Sequence, residues 1–237
     1  MNRFDHSIIS FLNQFVGRWP LFDKALVFAA SSDFIRGGFL SALLWAAWFR
    51  TDGEAGDKPR MRIAATLVAS VIAIVIARVV ALMVGFRVRP IADPTNGLHF
   101  PPAAMRWEGW SAFPSDHAIL FFALAACLFS ISSLLGWLAF CHALFVVCLP
   151  RVYLGIHHPT DILAGAAWGA AVACWSGGGV PMRLVGARAV RWMHAHPASF
   201  YAAFFLFTYE LTVVFWDVLF LSKILVHVLA RAAHASR

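Results

Sequence analysis

Long runs without a charged residue, separated by short polar gaps, are the feature that most restricts how this chain can fold. Residues 121–149 carry no charge, and neither do residues 162–175, which follow a polar gap at residues 150–161. An apolar run of about 20 residues can cross a lipid bilayer as a helix, because a helix satisfies its own backbone polar groups. The pattern therefore predicts a membrane protein whose polar groups gather where its helices end.

The composition supports this class. Of the 237 residues, 61% are hydrophobic and 13% are charged, whereas a soluble domain carries about 25% charged residues. We expect a single membrane domain over residues 1–237. The formal net charge is +7, which suits contact with anionic membrane lipids. Nucleic acid is not an expected partner, because the arginines are scattered among apolar runs and form no patch.

We predict an all-α fold, a polytopic transmembrane bundle of about six spans with interfacial helices at its N-terminus. The interfacial helices are expected at residues 4–15 and 19–30, and the sequence leaves open whether they pair into one re-entrant unit. The predicted spans are residues 34–49, 63–86, two between 118 and 149 that turn near Ser130, 159–175, and 200–221. Residues 37–177 form the core, and a C-terminal amphipathic helix and span occupy residues 181–222.

Three polar gaps fall on one face of this bundle when the crossings are counted: residues 87–90, 113–117 and 150–161. Ser115 is a candidate N-cap and Pro159 suits a first helical turn, so two helix starts offer free N–H groups at this face. Arg89 and Arg151 add guanidinium groups, which match phosphate oxygens in pairs. We therefore expect an anion site here, and we assign Arg87 and Asp116 to the same phosphate-binding group.

Two histidines supply candidate chemistry beside that anion site. His157 and Asp161 are four residues apart, so they can meet on one helical turn. A carboxylate bound to one ring nitrogen fixes the tautomer and leaves the other nitrogen free to act as a nucleophile. His117 comes from the other helix start and can protonate a leaving oxygen.

These residues together resemble a known family. The pattern Arg-x5-His-x3-Asp is formed by Arg151, His157 and Asp161; Pro114-Ser115-Asp116-His117 and Arg89-Pro90 precede it. The three motifs in this order resemble the type 2 phosphatidic acid phosphatase superfamily, also called lipid phosphate phosphatases. The resemblance extends over residues 37–177.

The resemblance implies a phosphohydrolase that uses neither a metal ion nor another cofactor and forms a phosphohistidine intermediate. It implies that His157 is the nucleophile, Asp161 its orienting partner, and His117 the acid and then the base for water. It also implies that the phosphoryl group is bound by Arg89, Arg151 and Ser115.

The chain departs from the family pattern at two positions. The family usually has Lys seven residues before the first-motif Arg, and this chain has Leu82 there. Either Arg78 or Arg87 can replace the missing charge, and we favour Arg87. Pro150 stands where the family usually has Ser before the third-motif Arg, which removes one hydroxyl group.

The expected function is removal of a terminal phosphate from a lipid phosphate or pyrophosphate, with undecaprenyl pyrophosphate as the first candidate. Phosphatidylglycerol phosphate, phosphatidate and a lipid A phosphate are alternatives. A transporter or flippase that binds phosphate without cleaving it is the rival from another class, and a haloperoxidase is a lesser rival. The resemblance implies a bacterial inner-membrane protein whose site faces outward, while the distribution of basic residues does not decide the orientation.

Overall fold

A computed structural model of the chain describes residues 1–50, 56–101 and 111–213. In these ranges the chain is helical and contains no strand, so the all-α prediction is confirmed for them. The main helices are α1 Arg3–Asn13, α2 Pro20–Ser31, α3 Phe34–Phe49, α4 Lys58–Val84, α5 Asp116–Phe129, α6 Ser133–Tyr153, α7 Pro159–Ser176, α8 Ala187–Ala195 and α9 Pro197–Thr212. Shorter helical segments are Pro90–Ala92, Gly179–Pro181 and Met182–Gly186. Helix α3 opens with a π-helical turn, Phe34–Gly38.

Local sequence explains where the helices around the site begin and end. Ser115 caps α5, since its side-chain oxygen accepts from the Ala118 backbone N–H at 3.4 Å. Pro159 is the first residue of α7, where its missing N–H costs nothing. Helix α4 ends at Val84, and the next residue, Gly85, has a φ of 98° that glycine adopts readily. The predicted cap at Ser115 and first-turn proline at Pro159 are confirmed.

The number of spans is lower than predicted in the part of the chain that the structure describes. Two helices are long and apolar enough to cross a membrane: α4 with 27 residues and α6 with 21. Helices α2 and α3 add a third span if they count as one, with a bend of 68° between them. Helix α5 has 14 residues, or about 21 Å at 1.5 Å per residue. The prediction of about six spans is therefore not confirmed, and residues 214–221 of the last predicted span lie outside the described residues.

Helix α5 is the centre of the bundle. Nearly all its side chains are buried, including Leu120, Phe121 and Leu124. It packs against α4, α6 and α7. A helix that is apolar on every side belongs in a protein interior, so the uncharged sequence of α5 is explained by surrounding helices.

Two glycines bring α7 into direct backbone contact with α5. A Cβ atom on Gly165 would lie 2.7 Å from the Ser115 carbonyl oxygen, and one on Gly169 would lie 2.3 Å from the Ile119 carbonyl oxygen. Small residues four apart permit such close approach between helices in membranes. The contact also places the start of α5 beside the start of α7, where the Ser115 N–H meets the Asp161 carbonyl oxygen at 3.4 Å.

We expect Gly169→Ala to destabilise the protein, because its methyl group would overlap the α5 backbone and force the two helices apart. Overpacking of this kind costs about 1–3 kcal/mol. Gly178→Ala is the matched control, since nothing lies within 4 Å of a Cβ atom built there. Thermal unfolding of the purified protein in detergent measures the difference. Equal midpoints for the two variants would contradict the close packing of α5 and α7.

Candidate active site

The three polar gaps meet at one end of the bundle, as predicted. Arg89, from the loop after α4, donates from Nη1 to the Ile156 carbonyl oxygen at 2.7 Å. The His157 ring, between α6 and α7, contacts the Ala112 carbonyl oxygen through Nδ1 at 2.8 Å. Ala112 precedes α5 by a few residues and also donates its backbone N–H to the Arg87 carbonyl oxygen at 2.9 Å. Hydrogen bonds thus join all three gaps into one site.

Two buried arginines in this site have no carboxylate partner among the residues that the structure describes. Arg89 is 8% exposed and Arg151 is 1% exposed. Arg151 donates from Nη1 to the Val147 carbonyl oxygen at 2.7 Å. Among the residues that the structure describes, the Arg89 Nε and Arg151 Nη2 atoms have no hydrogen-bond partner, and neither guanidinium forms an ion pair. A buried cation without a counter-charge is costly, so this arrangement favours an oxyanion.

Burial and the nearby positive charge of Arg78 together lower the pKa of Arg89 to about 10. The Arg89 guanidinium therefore stays protonated at neutral pH and keeps its positive charge for a ligand. The carboxylates of Asp116 and Asp161 act in the opposite direction and raise the pKa of Arg89.

The ring of His157 is held through a backbone carbonyl group. A carbonyl oxygen only accepts, so the contact with Ala112 assigns the proton to Nδ1 and leaves the lone pair on Nε2. The nearest Asp161 oxygen lies 3.8 Å from Nδ1, which is too long for a hydrogen bond. The expected direct bond from Asp161 is thus replaced by one from Ala112, and the Asp161 carboxylate acts on the ring through its charge.

Asp161 makes its hydrogen bonds elsewhere. Its Oδ2 atom accepts from the His158 backbone N–H at 2.8 Å and faces the His158 ring Nδ1 at 3.1 Å. Its Oδ1 atom pairs with Arg87. Asp161 therefore caps the start of α7, and His158, for which the sequence indicated no role, belongs to the same cap.

His117 lies beside an arginine outside the three motifs. Arg36, at the start of α3, donates from Nη1 to His117 Nε2 at 3.1 Å. Arg36 is 6% exposed and pairs with Asp33. The positive charges of Arg36, Arg89 and Arg151 all act on the His117 ring. The sequence signal for Arg36 was a single charge beside Gly37 and Gly38, at the start of an apolar run.

Arg87 does not fit the phosphate-binding role predicted for it. Its guanidinium pairs with Asp5 at 2.7 Å and with Asp161, and it donates to Thr160 Oγ1 at 3.0 Å. Two carboxylates neutralise its charge, so Arg87 links α1 to α7. The structure therefore also does not support Arg87 as the replacement for the missing family lysine at Leu82, whose side chain is 85% exposed and faces away from the bundle.

Asp116 also has a different position from the one predicted. Its carboxylate pairs with Arg78 from α4. A carboxylate repels phosphate, so the structure favours Asp116 as a partner that anchors α4 to α5 and not as a phosphate ligand. Arg78 additionally reaches the Ser111 carbonyl oxygen at 3.5 Å.

The start of α7 is occupied by a carboxylate of the protein itself. Asp5, on α1, is fully buried. Its Oδ1 accepts from the Thr160 backbone N–H at 2.9 Å, and its Oδ2 accepts from Thr160 Oγ1 at 2.7 Å. These donors in the first turn of α7 are already used by Asp5. The sequence predicts that the starts of α5 and α7 both bind the anion, whereas the structure leaves this role to the start of α5 at Ser115.

Comparisons with known proteins agree with the motifs. A family model described as the PAP2 superfamily matches residues 63–183. The bacitracin transport permease protein BcrC of Bacillus licheniformis is 42% identical over 59 residues, which make up 25% of this chain and 29% of that protein. The chain thus aligns with less than a third of that relative's length.

A solved structure is also similar to this chain. It is the crystal structure of a transmembrane PAP2 type phosphatidylglycerolphosphate phosphatase from Bacillus subtilis. The match covers 73% of this chain and 82% of that one, with a TM-score of 0.47 and 19% sequence identity.

We expect Asp5→Asn to loosen the N-terminal helix from the site. The substitution keeps the shape of the side chain but leaves Arg87 with a single carboxylate, and breaking a buried ion pair costs about 3–5 kcal/mol. The measurements are the thermal midpoint in detergent and the rate of proteolysis within α1. Asp93→Asn is the control, at a partly exposed loop carboxylate that accepts hydrogen bonds from Thr95 within its own turn. An Asp5 variant as stable and protease-resistant as the control would contradict the anchoring role.

Proposed function

The chain belongs to the PAP2 superfamily, and we propose that it is a membrane-embedded phosphohydrolase that releases a terminal phosphate from a lipid phosphate or pyrophosphate. The observation that carries this proposal is the pair of buried guanidinium groups of Arg89 and Arg151. They have no carboxylate partner among the described residues, and they lie beside His117 and His157. Guanidinium groups bind phosphate oxygens in pairs, and the histidines supply a nucleophile and an acid.

In the first half of the proposed reaction, the lone pair of His157 Nε2 attacks the phosphorus atom. The bond between phosphorus and the lipid oxygen breaks, and protonated His117 gives its proton to that oxygen. The products of this step are a free lipid alcohol, or a lipid monophosphate when the substrate is a pyrophosphate, and a phosphohistidine. The proton on His157 Nδ1 remains on that nitrogen, hydrogen-bonded to the Ala112 carbonyl oxygen. The negative charge of Asp161 stabilises the His157 ring as the ring becomes positive.

In the second half, His117 accepts a proton from a water molecule whose oxygen attacks the phosphohistidine. The nitrogen–phosphorus bond breaks, inorganic phosphate leaves, and His157 regains its lone pair. Negative charge on the equatorial oxygens is stabilised in both steps by Arg89 and Arg151, and by the positive end of the helix dipole at the start of α5. These cations are part of the protein, so the proposed mechanism needs no metal ion.

The surroundings of the site support a lipid substrate. Leu82, Met83 and Val84, in the last turn of α4, are strongly exposed on the outside of the bundle. A headgroup can enter the polar site while its tail lies along these side chains in the bilayer. Undecaprenyl pyrophosphate is the first candidate substrate, with phosphatidylglycerol phosphate, phosphatidate and a lipid A phosphate as alternatives.

We place the site at the periplasmic face of a bacterial inner membrane. This placement rests on the family resemblance, because basic residues lie near both ends of the bundle; those at the start of α4, at the opposite end, are compatible with the cytoplasmic side. These residues are Lys58, Arg60 and Arg62. A reporter group fused to either end of α4 measures this orientation in cells.

A transport function is the second candidate, because the relative that matches 59 residues is named as a transport permease. Such a protein would bind the same lipid phosphate and release it unchanged. Release of inorganic phosphate by the purified protein separates the two functions, since only the phosphatase breaks the phosphorus–oxygen bond.

We expect His157→Ala to lower phosphate release by at least about 10³-fold, because the variant has no nucleophile at the position of the phosphohistidine. The assay uses purified protein in detergent with a metal chelator and a panel of lipid phosphates and pyrophosphates. His194→Ala is the control, because this exposed histidine pairs with Asp57 at the other end of α4. Equal activity of His157→Ala and wild type would rule out this nucleophile, and activity abolished by the chelator would rule out the metal-free mechanism.

The pH dependence follows from the environment of His157. Burial, together with the nearby positive charges of Arg89 and Arg151, lowers its pKa to about 4, although Asp161 acts in the opposite direction and raises it. The ring is therefore neutral and nucleophilic above about pH 4, so we expect kcat/KM to fall only as pH drops towards 4. Between pH 4 and the ordinary value of about 6.5, the unfolded chain binds more protons at this ring, so stability also decreases as pH falls through this window. An acidic limb of kcat/KM at pH 6.5 would contradict the lowered pKa.

A further inference from the structure

The site contains a third buried guanidinium group, that of Arg36, which has no role in the mechanism proposed above. Arg36 is 6% exposed, and its Nη1 lies 3.1 Å from His117 Nε2. Its charge acts on both His117 and Arg151. Arg36 therefore lies close to His117 and to Arg151, one of the two cations assigned to the phosphoryl group, although it lies outside residues 63–183, the interval matched by the family model.

We propose that Arg36 is a third ligand of the phosphoryl group and that its contact with His117 couples substrate binding to protonation of that histidine. The inference rests on the proposed phosphatase function, which supplies the phosphoryl ligand and the acid role of His117. It adds a catalytic residue from α3 to a site otherwise built from the loop after α4 and from helices α5, α6 and α7.

The chemistry of the contact sets the order of events. A guanidinium only donates hydrogen bonds, so its contact with Nε2 requires a lone pair on that atom and a neutral His117 ring. A neutral ring with its Nε2 lone pair occupied cannot protonate a leaving oxygen from that nitrogen. Arg36 must therefore release Nε2 before His117 acts as the acid.

An incoming phosphoryl group can cause that release. Its oxygens carry negative charge and accept stronger hydrogen bonds from a guanidinium than a neutral imidazole nitrogen does. As Arg36 turns its Nη1 donor to a phosphoryl oxygen, His117 Nε2 becomes free. The proton on the bound phosphate monoanion then moves from oxygen to Nε2, which gives a phosphate dianion held by arginines and an imidazolium ready to protonate the leaving oxygen.

The position of Arg36 depends on the π-helical turn that opens α3, Phe34–Gly38. Such turns often occur at functional sites. His142 on α6 contacts the Ile35 carbonyl oxygen of this turn through Nε2 at 2.8 Å. The His142 ring in turn packs between Phe39 and Phe121, with centroid distances of 4.8 and 6.1 Å. The central helix and α6 thus fix the turn that carries Arg36.

The ion pair with Asp33 does not by itself explain why Arg36 is buried. The Asp33 side chain is 51% exposed and lies three residues away on the same turn. Exposed pairs of this spacing contribute little to stability. Burial of Arg36 is instead expected if its guanidinium binds an anion inside the site.

The chain contains a matched control for Arg36. Arg60 forms the same i,i+3 pair with Asp57 at the start of α4, about 24 residues or roughly 36 Å along the helix from the end that borders the site. Comparing Arg36→Ala with Arg60→Ala separates loss of a phosphoryl ligand from loss of an arginine–aspartate pair. Asp33→Asn keeps the Arg36 guanidinium and removes only its carboxylate partner.

The experiment measures kcat/KM for a short-chain phosphatidate and inhibition by inorganic phosphate, with full-length variants in detergent. We expect Arg36→Ala to lower kcat/KM by about 10²–10³-fold, as for loss of one transition-state donor, and to weaken phosphate inhibition at least tenfold. Arg36→Lys, which keeps the charge without the fork, is expected to recover part of both effects. Asp33→Asn and Arg60→Ala are expected to stay within about threefold of wild type.

Two results would overturn the inference: wild-type kcat/KM and phosphate inhibition in Arg36→Ala, or equal losses in Arg36→Ala and Asp33→Asn. If Arg36→Ala does not fold, the same comparison is made with Arg36→Lys. Failure of the proposed function gives a different result, because wild type then hydrolyses none of the lipid phosphates. In that case the thermal stabilisation of wild type and Arg36→Lys by inorganic phosphate still decides whether Arg36 binds the anion.

Discussion

The direct backbone contact between α5 and α7 is the constraint on which the rest of the site depends. Gly165 and Gly169 remove the side chains that would separate the two helices, and the start of each helix is thereby held beside the other. His117 comes with α5, and His157 lies just before α7, so one close helix pair brings two chemically different histidines to one pocket. Other helices surround α5 and exclude water from the apolar parts of α5 and α7. The polar starts of these two helices therefore remain together at one end of the bundle.

The arginines at this end of the bundle are of two kinds: some are neutralised by carboxylates, and others remain able to bind an anion. Arg87 and Arg78 are paired with carboxylates of Asp5, Asp161 and Asp116, and they hold α1, α4, α5 and α7 together. Arg89 and Arg151 have no such partner among the described residues. In surroundings of low dielectric constant an unpaired cation has a high free energy, and binding of an oxyanion beside it is correspondingly favourable. The same physical effect that stabilises the anchors therefore makes the other two arginines suitable for binding phosphate.

Much of the site could be predicted from the sequence because its signals are local. Ser115 before an apolar run is a cap by its chemistry, and Pro159 fits a first turn whatever surrounds it. The role of Asp5 could not be read in the same way, since the residue lies 155 positions from Thr160, whose donors it accepts. In an amphipathic N-terminal helix, such a carboxylate looks like a solvated residue. Asp116 was misassigned for the same reason, because its partner Arg78 lies 38 positions away on another helix.

The sequence by itself determined that this is a helical membrane protein and which residue types gather at its helix ends, because the length of an apolar run and the chemistry of a cap act over a few residues. Tertiary structure decided which cations are free to bind a ligand. Arg87 follows one apolar run and Arg36 precedes another, and neither sequence context shows whether the charge of that arginine is neutralised. Only the packing of distant helices places two carboxylates against Arg87 and a histidine against Arg36, since electrostatic interactions depend on distance in space and not on separation along the chain.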